Sequence, residues 1–211
     1  MNRADFLTTA RDALDLAARP EVAAAWSAES ACAGMTVGGL AHHLLKQLAN
    51  TRLVLEAPPA DAAEVVDAHG HYARSAWVEA APDDAVNVGV RETSDDAAGQ
   101  GPDAVLAWGR ESYEVLESLI GRPRTPDVVA PPWTAWAMPT DDFLTTRLVE
   151  LTVHGDDLAA SVGLPTPDYP DAVVRAVLDV LTTVAVRRHG QTAVLRALSR
   201  PQRAPGHVSA F

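Results

Sequence analysis

The chain has 211 residues, 47% of them hydrophobic and 21% charged, and a formal net charge of −11. This composition indicates a globular enzyme or binding domain with enough residues to bury a sizeable core. Its basic residues are scattered and its apolar runs are short, which argues against nucleic acid and a membrane as partners. Its single cysteine, Cys32, excludes an internal disulfide, and the first residues lack the pattern of a signal peptide. We therefore expect a cytoplasmic protein.

Six helices are predicted, because apolar residues recur at spacings of three and four between breaks rich in proline and glycine. They cover residues 5–19, 36–56, 62–79, 102–120, 140–162 and 169–188. Four main helices joined by such links predict an all-α, up-down-up-down four-helix bundle with an additional C-terminal helix.

Two segments between these helices have more than one interpretation. Residues 86–90, Val-Asn-Val-Gly-Val, are compatible with a short strand, and residues 95–101 have the composition of a loop. The link 121–139 holds Trp133 and Trp136. We interpret them as packing residues that hold the link against the bundle, with the lining of a pocket mouth as the alternative.

The helix predicted at 140–162 aligns Glu150, His154 and Asp157 on one face, since residues three and four apart are neighbours on a helix. Leu151 and Leu158 flank this stripe, so we expect it to face the interior. An unpaired carboxylate and imidazole are costly to bury there, and a shared cation or a hydrogen-bonded network would compensate them. The alternatives are a salt-bridged or capped helix and a metal-free hydrogen-bonded cluster.

A third ligand is predicted in the helix at 36–56, for which Thr36 is a suitable N-cap. His43 lies at the edge of the apolar face of this helix, whereas His42 points toward Lys46 on the wetter side. Two imidazoles and one carboxylate leave open positions on a divalent ion, as in catalytic sites. His43, Glu150 and His154 are therefore the predicted metal ligands.

Asp157 follows His154 by three residues and is interpreted as a hydrogen-bond acceptor that orients this imidazole. An additional metal ligand and an ordinary salt-bridge partner for an arginine are the alternatives.

The remaining candidates are assigned structural roles. His69 and His71 diverge by about 200° on a helix and are interpreted as solvated or capping residues. His189 precedes a glycine at a predicted helix end, where an imidazole interacts favourably with the helix dipole. Cys32 has no recognisable base beside it and is interpreted as a small buried residue.

Two segments resemble a known family. They are residues 32–44, CAGMTVGGLAHHL, and residues 142–159, DFLTTRLVELTVHGDDLA. Both resemble the metal-binding domain of mycothiol-dependent maleylpyruvate isomerase-like proteins, within the DinB/YfiT-like group of thiol S-transferases. The resemblance covers roughly residues 1–164, and the family's metal ligands fall on His43, Glu150 and His154.

The resemblance implies a four-helix bundle that holds a divalent ion, usually regarded as zinc, and uses mycothiol as cosubstrate. Residues 1–164 are then the metal-binding bundle and 165–211 a C-terminal helical extension. The isomerase carries a second, α/β domain that contributes to its active site, and residues 165–211 are too few for it. Maleylpyruvate is therefore not the expected substrate.

The resulting interpretation is a metal-dependent thiol S-transferase or isomerase, in which a metal-bound thiolate attacks a small electrophile. The alternative is a non-catalytic protein that binds a metal and a small ligand. The expected partners are a low-molecular-weight thiol and a small-molecule electrophile, and a homodimer is one possible assembly.

Overall fold

The computed structural model describes residues 3–61, 64–80 and 83–211, and it confirms the all-α class. Two short strands, β1 (Val128–Val129) and β2 (Met138–Pro139), pair antiparallel. In chain order the helices are α1 (Arg3–Ala17), α2 (Pro20–Ala24), α3 (Val37–Glu56), α4 (Ala68–Arg74), α5 (Ala76–Glu79), α6 (Ala85–Ala98), α7 (Pro102–Leu119), α8 (Thr140–Ser161), α9 (Asp171–His189) and α10 (Gln191–Ser199).

Helices α1, α3, α7 and α8 form the four-helix bundle, in which α1 and α3 each pack against both α7 and α8. Fully buried leucines at spacings of four, Leu40, Leu44 and Leu48, form the inner face of α3. Thr36 caps α3 as predicted, because its hydroxyl accepts a 2.9 Å hydrogen bond from the amide of Gly39. The predicted bounds of α3, α7 and α8 agree with the structure to within one or two residues.

Helices α1 and α8 run in the same direction, since Arg3 at the start of α1 pairs with Asp141 at the start of α8. Helix α3 runs against them. The segment just before it bonds to the end of α8 through Ala31 and Ser161, whereas its middle bonds to the first half of α8 through Gln47 and Arg147.

Helix α7 runs parallel to α3, because His42 stacks on Trp108 near the start of α7, whereas Arg124, beyond its end, bonds to the carbonyl of Leu55. The bundle is therefore up-down-down-up, and the predicted up-down-up-down order is wrong. The cause is the long crossover at residues 57–101, which returns the chain to the end where α3 began.

This crossover also corrects two predicted elements. Residues 86–90 are helical in α6 and do not form a strand, and most of the predicted loop at 95–101 belongs to the same helix. Ser94 and Ala98 are buried, and the helix packs on α3, so tertiary packing overrides the strand preference of the valines. The helix predicted at 62–79 is two short helices, α4 and α5, and its predicted start at 62–63 lies outside the described residues.

The link between α7 and α8 is held by backbone pairing as well as by side chains. The amide of Ala137 donates to the carbonyl of Glu64, and the amide of Val66 donates to the carbonyl of Ala137. Trp136 is half-buried against the core beside α4, whereas Trp133 is 44% exposed and tilts against Phe143. The contacts of Trp136 are those of a packing residue, as we predicted.

Helix α9, which corresponds to the helix predicted at 169–188, packs on α8 and α4, and α10 packs on α9. Within the described residues, no helix is both long and apolar enough to span a membrane.

The packing at Gly109 gives a test of the bundle. A Cβ atom at Gly109 would lie 2.8 Å from Leu45 Cδ1 and 3.1 Å from Leu14 Cδ2, at the contact of α7 with α3 and α1. We expect Gly109→Val to lower the free energy of unfolding by about 1–3 kcal/mol through overpacking, measured by urea denaturation.

Gly89→Ala is the matched control, because nothing in the described part of the chain lies within 4 Å of a Cβ built there. It should raise stability by about 0.5–1 kcal/mol through helix propensity. A Gly109→Val variant as stable as the parent protein would contradict the tight packing of these three helices.

Candidate metal centre

Three potential ligands from two helices converge at the α3–α8 contact. His43 Nε2 lies 3.3 Å and His154 Nε2 lies 3.5 Å from the same oxygen, Oε2 of Glu150. One ligand atom from each residue lies within 4.8 Å of the others. Glu150 and His154 are stacked one turn apart on α8, and the antiparallel α3 brings His43 opposite them. The structure thus brings together the three residues predicted as ligands.

The cluster is largely buried, with 13%, 15% and 20% of the His43, Glu150 and His154 side chains exposed. Burial would raise the pKa of Glu150, but hydrogen bonds to His154 and His43 outweigh it and hold that pKa well below its ordinary value. Burial lowers the pKa of His43. Glu150 is therefore a carboxylate in the folded protein.

Each imidazole directs Nε2 toward Glu150 and has a different contact at Nδ1. Asp157 Oδ2 lies 3.1 Å from Nδ1 of His154, and Ser94 Oγ lies 3.5 Å from Nδ1 of His43. Burial would lower the pKa of His154, but its contacts with Asp157 and Glu150 raise it to about 9. Metal-ligating histidines commonly use one nitrogen for the ion and the other for such an outer contact. The contact predicted for Asp157 is present.

The donor set fits a divalent ion. Two ligand atoms each about 2.0–2.1 Å from a tetrahedral ion lie roughly 3.3–3.4 Å apart, which is close to the two distances from Glu150. Two imidazole nitrogens and one carboxylate oxygen suit zinc, and each of the three side chains retains some exposed surface. The residues present can therefore hold such an ion and leave a position for an exogenous ligand.

Two further residues of this site were missed or given no role by sequence reasoning. Gln47 lies one turn after His43 on α3, and its amide nitrogen donates to the His43 carbonyl at 3.0 Å. That spacing was the signal that could have found it. Ser94 carried no usable signal, because it lies between the residues interpreted as a possible strand, 86–90, and those interpreted as a loop, 95–101.

The other histidines lie outside the cluster. His42 is buried and stacks on Trp108 with ring centroids 5.0 Å apart, which corrects its predicted position on the wetter side of α3. His69 is partly exposed and pairs with Asp179. His71 is only 5% exposed, so it is neither solvated nor a surface cap. Position 71 faces the interior because α4 packs between α8 and α9.

His189 and Cys32 behave much as predicted. His189 is the last residue of α9, and its Nε2 lies 2.9 Å from the carbonyl oxygen of Ser209. Cys32 is half-buried and free, and burial together with the charge of Asp157 raises the pKa of its thiol. A raised pKa does not favour a nucleophilic role.

The fold and the cluster define a helical-bundle protein with a candidate divalent metal centre of the DinB-like type. Within that class the chain belongs to the mycothiol maleylpyruvate isomerase N-terminal domain family, whose model matches residues 7–159. The two segments that carried the resemblance, 32–44 and 142–159, lie in this range. Comparisons with curated proteins and with solved structures gave no significant match.

The ligand assignment predicts selective loss of metal. His154→Ala or Glu150→Gln should reduce bound divalent metal to a small fraction of that in the parent protein, measured by elemental analysis after purification. His42→Ala is the matched control and should retain the metal, because His42 stacks on Trp108 away from the cluster. The opposite result would reverse the assignment of the α3 ligand. In that case His42→Ala would lose the metal and His43→Ala would retain it in full.

The buried His71 predicts a pH dependence of stability. Burial and the charge of Arg147 lower the pKa of His71 to about 4, whereas an unfolded histidine has a pKa of about 6.5. Between these values the unfolded chain binds a proton that the folded protein does not. His71 alone should therefore lower the free energy of unfolding by about 1.4 kcal/mol for each unit by which the pH falls from about 6.5 toward about 4.

Urea denaturation at pH 7 and pH 4.5 measures this contribution. His71→Phe should lose less stability between the two pH values than the parent protein does. An equal loss of unfolding free energy in both proteins would contradict the contribution assigned to His71.

Proposed function

We propose that the protein is a metal-dependent thiol S-transferase or isomerase that uses a low-molecular-weight thiol, mycothiol, and a small electrophile. The observation that supports this most directly is the arrangement of Glu150 between two imidazoles, because three such ligands leave a coordination position open on a tetrahedral ion. Membership of the mycothiol maleylpyruvate isomerase N-terminal domain family supports the choice of thiol.

His43, Glu150 and His154 are the residues that would hold the ion, and zinc suits them best. When bound, the ion would coordinate the thiol sulfur and lower its pKa, so that thiolate persists at neutral pH. Asp157 holds Nδ1 of His154 and so directs Nε2 of that ring toward Glu150. Glu150 acts as a ligand in this proposal, because a carboxylate with a strongly lowered pKa is a poor base at neutral pH.

Two reactions follow from a thiolate held beside an electrophilic carbon. With an activated alkene, the thiolate forms a carbon–sulfur bond, and the π electron pair moves onto the activating group, which leaves a single carbon–carbon bond. Rotation and expulsion of the thiolate then give the isomer, with the thiol regenerated. With a leaving group on the carbon, the same attack expels that group and gives a thioether. We propose that these reactions take place in the cytoplasm, without nucleic acid or membrane partners.

Thiol consumption tests this proposal. Metal-replete protein should accelerate the conjugation of mycothiol to monochlorobimane, followed by fluorescence, and Glu150→Gln or removal of the metal should abolish most of the acceleration. Arg52→Gln is a suitable control, because Arg52 pairs with Glu56 and Glu111 on the surface. Metal-replete protein that binds mycothiol without consuming it would instead support the non-catalytic binding protein, and protein that does neither would overturn the proposal.

A further inference from the structure

The two imidazoles of the candidate metal centre differ in the group that faces Nδ1. Nδ1 of His154 faces the carboxylate of Asp157 at 3.1 Å, on the same helix. Nδ1 of His43 faces Oγ of Ser94 at 3.5 Å, and Ser94 belongs to α6, a helix of the crossover. One of the two outer contacts therefore comes from outside the four-helix bundle.

The hydroxyl of Ser94 is buried, and its proton is already engaged. The residue is 0% exposed, and its Oγ donates to the carbonyl of Val90 at 2.8 Å. This contact is shorter than the one with His43, so the hydroxyl proton lies on the side of Val90. A hydroxyl has one proton and two lone pairs, so Oγ can only accept from His43. The proton in that contact must therefore lie on Nδ1 of the ring.

The position of this proton decides whether His43 can bind a cation. A metal-ligating imidazole is neutral and carries a single N–H. With the proton on Nε2, the ring donates to Glu150, whose Oε2 lies 3.3 Å away. With the proton on Nδ1, the lone pair of Nε2 is directed at the cluster and is free for an ion. The metal-bound state therefore needs an acceptor for the Nδ1–H group in the protein interior.

The residue after Ser94 fixes α6 to the start of α3. Oδ1 of Asp95 accepts hydrogen bonds from the amide of Thr36 at 3.0 Å and from its hydroxyl at 2.6 Å. The same oxygen occupies the space that a Cβ atom at Gly39 would take. These contacts hold α6 close against α3, one turn of α3 before His43, and so keep Ser94 beside the ring.

We propose that Ser94 is a positioning residue, held in place by Asp95, whose hydroxyl accepts the Nδ1–H group of His43 and so presents the Nε2 lone pair to a divalent ion. This inference rests on the metal centre of the proposed function, but not on the thiol or the electrophile. Ser94 should contribute to metal affinity and little to the stability of the metal-free protein. The reason is that the metal-free ring can carry its proton on Nε2 and donate to Glu150.

Zinc affinity, measured by competition with a chromophoric chelator, tests this role. Ser94→Ala should raise the dissociation constant of zinc about tenfold to a hundredfold, because it leaves the Nδ1–H group buried without its acceptor. Thr93→Ala is the matched control. Thr93 is exposed and donates to the carbonyl of Gly89 at 2.7 Å, so its removal deletes the same kind of helix contact. The control should leave the dissociation constant unchanged.

Two further measurements separate positioning from a general loss of structure. In urea denaturation, metal-free Ser94→Ala should be about as stable as metal-free Thr93→Ala. In cobalt-loaded protein, the Nδ1 proton of each ligating histidine gives a paramagnetically shifted NMR signal. Ser94→Ala should speed the exchange of the His43 proton with water and leave that of His154 unchanged.

Asp95→Ala tests whether the contact with α3 holds Ser94 in place. Loss of this carboxylate frees α6 from Thr36, so the dissociation constant of zinc should rise severalfold. Asp96→Ala is the matched control, because it removes the same charge from an exposed neighbouring position. Unchanged affinity in Asp95→Ala would overturn this part of the proposal.

The remaining outcomes distinguish this inference from the proposed function. Equal zinc affinity in Ser94→Ala and the parent protein would overturn the inference and leave the metal centre intact. Weaker binding with an equal loss of metal-free stability, or with faster exchange at both rings, would also overturn it. A parent protein that binds neither zinc nor cobalt would overturn the inference and the metal centre together. Metal binding that depends on Ser94, in a protein that consumes no thiol, would retain the inference and remove the proposed function.

Discussion

The buried carboxylate of Glu150 is the constraint on which the centre of this bundle depends. A carboxylate in the interior requires compensating groups, and here His43 and His154 supply them from opposite helices. Their positions require α3 and α8 to be antiparallel and in one register. The N-terminal cap of α3 is in turn fixed to α6, because Asp95 of α6 accepts hydrogen bonds from both the amide and the hydroxyl of Thr36.

The polar groups around Glu150 form a connected chain from one helix to the next. Gln47 donates to the backbone of His43 and accepts from Arg147, so one amide joins the ligand on α3 to the cation on α8. Because arginine can only donate, the contact with Arg147 identifies Oε1 as the amide atom that faces it. The nitrogen of the same amide then faces His43. Such a network ties the backbone of α3 at His43 to α8 beside the cluster.

Helix periodicity predicted the bundle helices and the three clustered residues, because the long helices carry clear apolar faces and the ligands lie one turn apart or at a face edge. The direction of α7 could not be predicted this way. It depends on where the crossover at 57–101 leads the chain, and local propensity does not encode that path. The valines of α6 favour a strand by local propensity, but the segment is helical because it packs on α3. His42 and His71 were predicted on wet surfaces for a similar reason, since the elements that cover them come from distant parts of the chain.

The crossover between α3 and α7 contributes to the site from outside the bundle. It contains Ser94, which contacts one candidate ligand, and His71, whose ring meets that of Trp136. The three candidate ligands themselves belong to bundle helices. The ligand set and part of its surroundings thus come from separate stretches of sequence, so substitutions in the crossover can change the environment of the cluster while the three candidate ligands stay intact.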